Sequence, residues 1–272
     1  MISHPHLFCN IFINLILKFR VVNVILLSSE VLFLNTIKFD KKDTKIVAHR
    51  GLSGIEKENT NAAFVAAGNR SYYGIETDVH KTLDGKYVVF HDDTTGRVAI
   101  DDMEVEKTTF DCLRNLLLTD IDGKKGRTDI RIPTLQEYIS ICKKYEKVAV
   151  LELKNAFTEE EVYEIVDIIK DLGYLENVIF ISFCLENLIY LRKKYPEQSA
   201  QFLIDNYEPW LLDTLKEHNL DLDIKYTSLN ADNMKELHDA GIKVNCWTCD
   251  DPAAGEQLAS WGIEFITSNI LE

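Results

Sequence analysis

From Lys45 to the C-terminus, short β-branched runs alternate with amphipathic segments, and this rhythm restricts the fold more than any single motif does. Candidate strands are Ile46–His49, Gly74–Asp78, Tyr87–His91, Val148–Glu152, Val178–Ser182, Gln201–Ile204, Asp223–Tyr226, Lys243–Trp247 and Glu264–Thr267. Helical stretches fall between them, near Thr60–Asn69, Leu135–Tyr145, Glu159–Leu172, Leu185–Tyr195, Pro209–His218, Ala231–Ala240 and Pro252–Trp261. In the third of these, Val162, Ile165, Val166 and Ile169 share one face, with the charges opposite. Gly173 and Gly241 stand where helix C-caps belong. Strand-helix alternation of this kind builds βα units around a parallel sheet.

The strand candidates are one too many for an eight-stranded barrel. Asp84-Gly85, between two apolar runs, is a hairpin signal, so Tyr87–His91 reads as an antiparallel return strand. That pairing is expected to set His91 opposite Asp78. The other eight candidates then close a (β/α)8 TIM-type barrel, an α/β fold, with residues 79–131 forming a small capping insertion after the second strand. A doubly wound open sheet is the competing architecture, but no Gly-rich phosphate loop follows the first strand.

Residues 1–44 are a different kind of sequence. Two apolar runs, Leu7–Leu17 and Val21–Leu34, are separated by Lys18 and Arg20, and five basic residues face three acidic ones. The runs are short for a membrane span, Asn10, Asn14 and Asn23 interrupt them, and a secretory signal would want its basic residues before the apolar core. The leader therefore reads as a dispensable segment or a start assigned upstream of the true one, as a membrane-contacting segment, or as an export segment, in that order, and the catalytic domain is expected over 45–272. The whole chain carries 44 acidic against 30 basic side chains, a net charge of −14, which argues against a nucleic-acid binder. Six cysteines are too few for a disulfide scaffold, so a reducing, cytoplasmic compartment is the default.

Charged residues gather at the predicted strand ends: His49 and Arg50 after the first, Glu76 and Asp78 on the second, His91 and Asp92 after the hairpin, Glu152 and Lys154 at the fourth. In a barrel these ends surround one site. Glu76 and Asp78, two apart on a strand, share a face. With Glu152 they make a three-carboxylate oxygen cluster suited to Mg²⁺ or Ca²⁺ rather than zinc. Any one of these carboxylates alone could be a strand-edge ion pair; their convergence carries the reading. His49 and His91 are the natural acid–base pair. The other histidines, including His80 beside the site, read as structural. Trp247, at a strand end, either lines the cleft or plugs the barrel.

Several motifs run in order along the body: Ala48-His49-Arg50-Gly51, Glu58-Asn59-Thr60 with Ala63-Phe64, Ile75-Glu76-Thr77-Asp78-Val79 with Thr82 and Asp84-Gly85, and Val88-Val89-Phe90-His91-Asp92. Ile132-Pro133-Thr134-Leu135, Leu151-Glu152-Leu153-Lys154, Ser182-Phe183, Trp247-Thr248 and Gly262–Thr267 follow. In these motifs the chain resembles the glycerophosphodiester phosphodiesterase family. The resemblance covers the body from Lys45 and none of the leader. It implies a barrel with a small capping insertion and metal-dependent hydrolysis of glycerophosphodiesters, such as glycerophosphocholine or glycerophosphoethanolamine, to sn-glycerol 3-phosphate and an alcohol. By the same resemblance His49 and His91 are the acid–base pair, Arg50 holds phosphate, Lys154 adds positive charge near the phosphoryl oxygens, and Glu76, Asp78 and Glu152 bind the ion. One histidine would activate the glycerol 2-hydroxyl for attack on phosphorus while the other protonates the leaving alcohol; water then opens the cyclic phosphate. Which histidine starts as base stays open. Lys57 replaces the usual proline before Glu-Asn-Thr, which is expected to loosen the entry to the first helix, and Thr267-Ser268-Asn269 replaces the more frequent Thr-Asp in a tail expected to close the barrel with little effect on catalysis.

Two other readings compete. A lysophospholipase D would use the same residues, with Phe110, Leu113, Leu116, Leu117 and Leu118 as an apolar rim, although these also fit a buried helix face. A catalytically silent phosphodiester-binding module would keep ligand binding without turnover, against which the complete histidine pair speaks. Cys246-Trp247-Thr248-Cys249 has redox spacing, but positions three apart on a strand face opposite sides. Glu159-Glu160-Glu161 reads as a helix first turn, favoured by the helix dipole.

Overall fold

Eight parallel strands close on themselves. In chain order they are β1 (Lys45–Ala48), β2 (Gly74–Lys81), β4 (Val148–Leu153), β5 (Val178–Ser182), β6 (Ala200–Ile204), β7 (Asp221–Lys225), β8 (Val244–Trp247) and β9 (Phe265–Ser268). Each pairs with the next, β2 with β4, and β9 returns to β1, which also pairs with β2. The computed structural model describes residues 35–124 and 128–272, so the leader runs 7–17 and 21–34, and the membrane contact read into them, lie outside the described residues. Among the described residues no helix is long and apolar enough to cross a membrane.

The remaining strand, β3 (Tyr87–Val89), runs antiparallel to the end of β2 through the Asp84-Gly85 turn, where Gly85 takes a φ of 75°. The register is Val79 to Val89 and His80 to Val88, and Phe90 N–H donates to the Asp78 carbonyl. Phe90 rather than His91 therefore sits opposite Asp78, one residue from the expected pairing. The strand ends at Val89, and His91 leaves on the loop beyond it.

Helices Asn61–Gly68, Leu135–Lys144, Glu159–Asp171, Leu185–Lys194, Leu211–His218, Ala231–Asp239 and Pro252–Ser260 alternate with the strands. Their starts are set by side-chain caps. Thr60 accepts from Ala63 N–H, while Thr134 with Glu137 and Thr158 with Glu161 close capping boxes, which explains the acidic first turn at 159–161. The apolar face Val162, Ile165, Val166 and Ile169 is buried against the barrel wall. A second apolar group fills the barrel itself: Val47, Val150, Ile179, Ile181, Leu203 and Phe265. Most strands bury both faces, as a parallel barrel requires.

Beyond β3 the insertion builds its own small core from Val88, Phe90, Val98, Val105, Leu113, Leu116, Leu118, Ile130 and Ile132. The leucines that could have formed an acyl-chain rim are thus largely spent inside it: Leu113, Leu116 and Leu118 are buried. Residues 37–44, grouped with the leader in the sequence, pack on the barrel unit, which runs from Ile37 to Glu272. Ile37 pairs with Leu271, and the Phe39 ring lies against Gly255, where a Cβ would meet it at 2.8 Å.

Candidate active site

Glu76 and Asp78 point inward from β2, and β4 delivers Glu152 directly beside Asp78 in the parallel register. All three are buried, at 3%, 1% and 6% exposure, and their ligand oxygens lie within 4.8 Å of one another. Three buried carboxylates face two cations. Lys154 Nζ lies 3.0 Å from Glu152 Oε1 and 3.6 Å from Asp78 Oδ1, and Arg50 Nε lies 3.8 Å from Asp78 Oδ2. Burial pushes Glu152 up to about 8, with the Asp78 charge adding to it, and burial followed by Asp78 likewise drives Glu76 up. Burial acts on Asp78 as well, but Lys154 and Arg50 outweigh it and hold that carboxyl well below the usual range.

This donor set fits a hard divalent cation. Asp78 Oδ1 and Glu152 Oε1 are buried oxygens that share the single Lys154 ammonium, and three carboxylates this close are costly unless a further cation joins them. Carboxylate oxygens alone, with no thiolate or imidazole among them, favour Mg²⁺ or Ca²⁺ chemistry.

The turn after β1 is built around this cluster. Arg50 adopts a left-handed backbone (φ 54°), and its N–H donates to Glu76 Oε2 at 2.8 Å. Such a conformation costs a non-glycine residue energy and persists where surrounding contacts over-determine it. At Gly51 (φ 76°) any Cβ would lie 2.7 Å from the Ala63 backbone. Asn59 is left-handed too (φ 51°); it receives the Thr77 hydroxyl at 2.7 Å and donates its amide to Asp78 Oδ2 at 2.8 Å. The Arg50 guanidinium reaches Glu58 at 2.9 Å, and Glu58 in turn receives two donors from Arg97 in the insertion, at 2.7 and 2.8 Å. Burial opposes ionisation of Glu58, yet the Arg97 hydrogen bonds and the Arg50 charge hold it at about 2.

Both histidines are held by Nδ1, but by different partners. His49 Nδ1 meets Asn269 Oδ1 at 2.7 Å. Ser53 donates to the same oxygen, and the Asn269 amide nitrogen donates to Asp250, so the amide can only present its oxygen to the ring. His49 is therefore protonated at Nδ1 and free at Nε2. Burial, then the Arg50 charge, lowers it to about 4. His91 Nδ1 instead meets the Asp92 carboxylate at 2.5 Å, and Arg97 bridges Asp92 as it does Glu58. Burial pulls His91 below its ordinary value, while Asp78 and Asp92 act to hold it up. His80, fully buried, contacts Glu106 at 3.1 Å and the His91 carbonyl at 3.3 Å, a structural support for the His91 loop.

His49, Arg50, Glu76, His91, Glu152 and Lys154 line one cleft at the C-terminal mouth of the barrel, and Trp247 lines it with them, packed edge-on against Phe183 at 5.7 Å. Sequence reasoning assigned no role to Asn59, Arg97, Asn269 and Asp223. Asp223 carried the signal that exposed Glu76, a carboxylate inside an apolar strand, Leu222-Asp223-Ile224. Asn269 and Arg97 sit in segments without a pattern, and only tertiary structure brings them in. Cys246 and Cys249 are buried, and burial raises Cys249 to about 11 and Cys246 well above its ordinary value, so neither offers a reactive thiolate.

Comparison with known proteins points the same way. The model of the glycerophosphoryl diester phosphodiesterase family matches residues 49–271. A glycerophosphodiester phosphodiesterase of Caldanaerobacter subterraneus subsp. tengcongensis is 29% identical over 83% of this chain and 94% of its own. Among solved structures, an Oleispira antarctica phosphodiesterase in complex with the product sn-glycerol-3-phosphate superposes with a TM-score of 0.77, at 25% identity over 86% of this chain and 96% of that one. A Parabacteroides distasonis glycerophosphodiester phosphodiesterase gives 0.69 at 28% identity, covering 84% and 93%.

Proposed function

The chain belongs to the glycerophosphoryl diester phosphodiesterase family, a family of phosphoric diester hydrolases, and from that premise we propose how its residues divide the work. The substrate is a glycerophosphodiester such as glycerophosphocholine or glycerophosphoethanolamine, and the products are sn-glycerol 3-phosphate and an alcohol. The observation that carries this reading is the single cleft in which two histidines, two cations and a buried carboxylate cluster meet.

His49 is the first base. Its Nε2 lone pair takes the proton of the glycerol 2-hydroxyl, because Asn269 fixes the other nitrogen as a donor and the Arg50 charge disfavours a standing imidazolium. As that oxygen attacks phosphorus, the bond to the head-group alcohol breaks, and His91 gives its proton to the departing oxygen. The Asp92 carboxylate stabilises the imidazolium that His91 must be beforehand. Water then opens the cyclic phosphate with the roles reversed: its proton goes to His91, and His49 returns a proton to the 2-oxygen. Arg50 and Lys154 hold the phosphoryl oxygens throughout. Glu76, Asp78 and Glu152 would hold a divalent cation, which would supply Lewis-acid stabilisation of the charge that develops at phosphorus.

A lysophospholipase D is not favoured, since Leu113, Leu116 and Leu118 of the insertion lie inside its core. The test is release of glycerol 3-phosphate from glycerophosphocholine with Mg²⁺, Ca²⁺ or EDTA, beside His49→Ala and Glu76→Ala. Metal-dependent release that both variants lose supports the reading; a folded wild type that releases nothing overturns it.

A further inference from the structure

Four strands round the ring from β2 in either direction stands β7, so Asp223 faces the cleft from the wall opposite the carboxylate cluster. Beside Thr248, that wall is otherwise apolar: Ile181, Phe183, Leu203 and the ring of Trp247. Asp223 is 1% exposed. Its Oδ2 accepts from the Asn245 amide at 3.1 Å, and Asn245 is itself tied to Gln201 and Thr267. Its Oδ1 receives no hydrogen bond from any described residue. On the neighbouring strand β8, the buried Trp247 Nε1 is also without an acceptor. One orphaned acceptor and one orphaned donor thus line the same wall, and groups buried this way are costly unless something pairs with them.

We propose that Asp223, with Trp247 beside it, reads the glycerol hydroxyl that does not attack phosphorus, the 1-hydroxyl, and so makes the site selective for an unacylated glycerol. The assignment rests on the phosphodiesterase reading above. The reacting groups, His49, His91 and the carboxylates, occupy the β1–β4 side, so a glycerol whose 2-oxygen lies there directs its other end across the cleft. A hydroxyl both donates and accepts, and therefore satisfies Oδ1 whether Asp223 is ionised or protonated. Burial, with the Glu152 charge adding to it, does raise this carboxyl well above the usual range. An acyl ester at the same position has oxygens that can accept from Trp247 Nε1 but no O–H to donate, and would leave an ionised Asp223 Oδ1 unpaired. Sites built to pair a substrate hydroxyl discriminate strongly against analogues that lack it.

The experiment compares glycerophosphocholine with its 1-deoxy analogue, which keeps the attacking 2-hydroxyl, in the full-length protein at saturating Mg²⁺ or Ca²⁺. The wild type is expected to prefer glycerophosphocholine by about 100-fold in kcat/KM. Asp223→Ala should use both substrates within about threefold of each other, and Trp247→Phe should lose roughly tenfold of the preference while keeping its ring. A merely structural role for Asp223 would lower both substrates together and leave the ratio intact. That outcome, in either variant that folds, overturns this inference alone. A wild type inactive on glycerophosphocholine overturns the phosphodiesterase reading and this inference with it.

Discussion

The amide oxygen of Asn269 lies 2.7 Å from Nδ1 of His49, and the Asn269 amide nitrogen is held by Asp250 at 2.6 Å. A residue on the loop after the last barrel strand thus sets the tautomer of a histidine after the first. Asn269→Ala should lower kcat on glycerophosphocholine by about 100-fold, the scale of a misplaced general base, with KM changed less than threefold. Steady-state kinetics check this. A fall confined to KM would remove Asn269 from the orientation of His49.

In the wild type, the acid limb of kcat/KM at saturating metal should lie nearer 4 than the ordinary 6.5, because burial and Arg50 lower His49 and a base acts only when unprotonated. A pH–rate profile reads this directly. A limb at 6.5 would give the essential base another identity.

Removing one charge from the carboxylate cluster should have opposite effects with and without metal. In EDTA, Glu76→Gln should stabilise the protein by about 1 kcal/mol, since it relieves like-charge crowding around Asp78 and Glu152. With excess Mg²⁺ or Ca²⁺ the wild type should gain about 2.7 kcal/mol at a hundredfold excess over Kd, and the variant little. Thermal melts in both conditions test the crossing. A variant that gains as much as the wild type would place the ion elsewhere.

Arg97 bridges Glu58 and Asp92, so Arg97→Gln should loosen His91 and lower kcat roughly tenfold. It should also change the acid response. Glu58 and Asp92 are each held at about 2, below their ordinary 4.5 and 3.8, even though burial opposes this. A depressed carboxylate gives stability that is present above its unfolded value and is lost as pH falls through the folded one. Wild-type stability should therefore decline from about pH 4.5 toward 2, and the decline should be shallower in Arg97→Gln. With Arg97 nearly half exposed, the difference at neutral pH should be near 1 kcal/mol. Denaturant melts across that range decide it.

Leu113→Ala empties part of the insertion core, where Leu113 is fully buried, and should cost about 2–4 kcal/mol locally. Hydrogen exchange should rise over residues 90–132 before the barrel strands respond. Uniform acceleration of both would show that the two cores unfold together.

The barrel was legible because its signals are local. Period-two runs, helical faces and the Asp84-Gly85 turn each depend on neighbours in sequence, and strand ends came within a few residues of the predicted ones. Glu76, Asp78 and Glu152 were legible for a related reason: a carboxylate inside an apolar strand is anomalous on its own. The exact hairpin register was not, since Tyr87–Phe90 is apolar throughout and buried over Tyr87–Val89, so no alternation marks its faces, and a slip of one residue puts Phe90 in the place expected for His91. Asn269, Asn59 and Arg97 were unreadable because their importance lies in what they touch. Asn269 reaches His49 across 220 positions of chain, a separation no local pattern encodes.

The insertion's separate core has a consequence for how such an enzyme can change. Because Val98, Leu113, Ile130 and their neighbours are satisfied among themselves, the insertion can be rewritten while the barrel's own packing stays in place. One tie between the two is Arg97, which joins Glu58, on the loop after β1, to Asp92 of the insertion. A graft that supplies a guanidinium at that place would keep this tie, so the two modules can be exchanged as separate units.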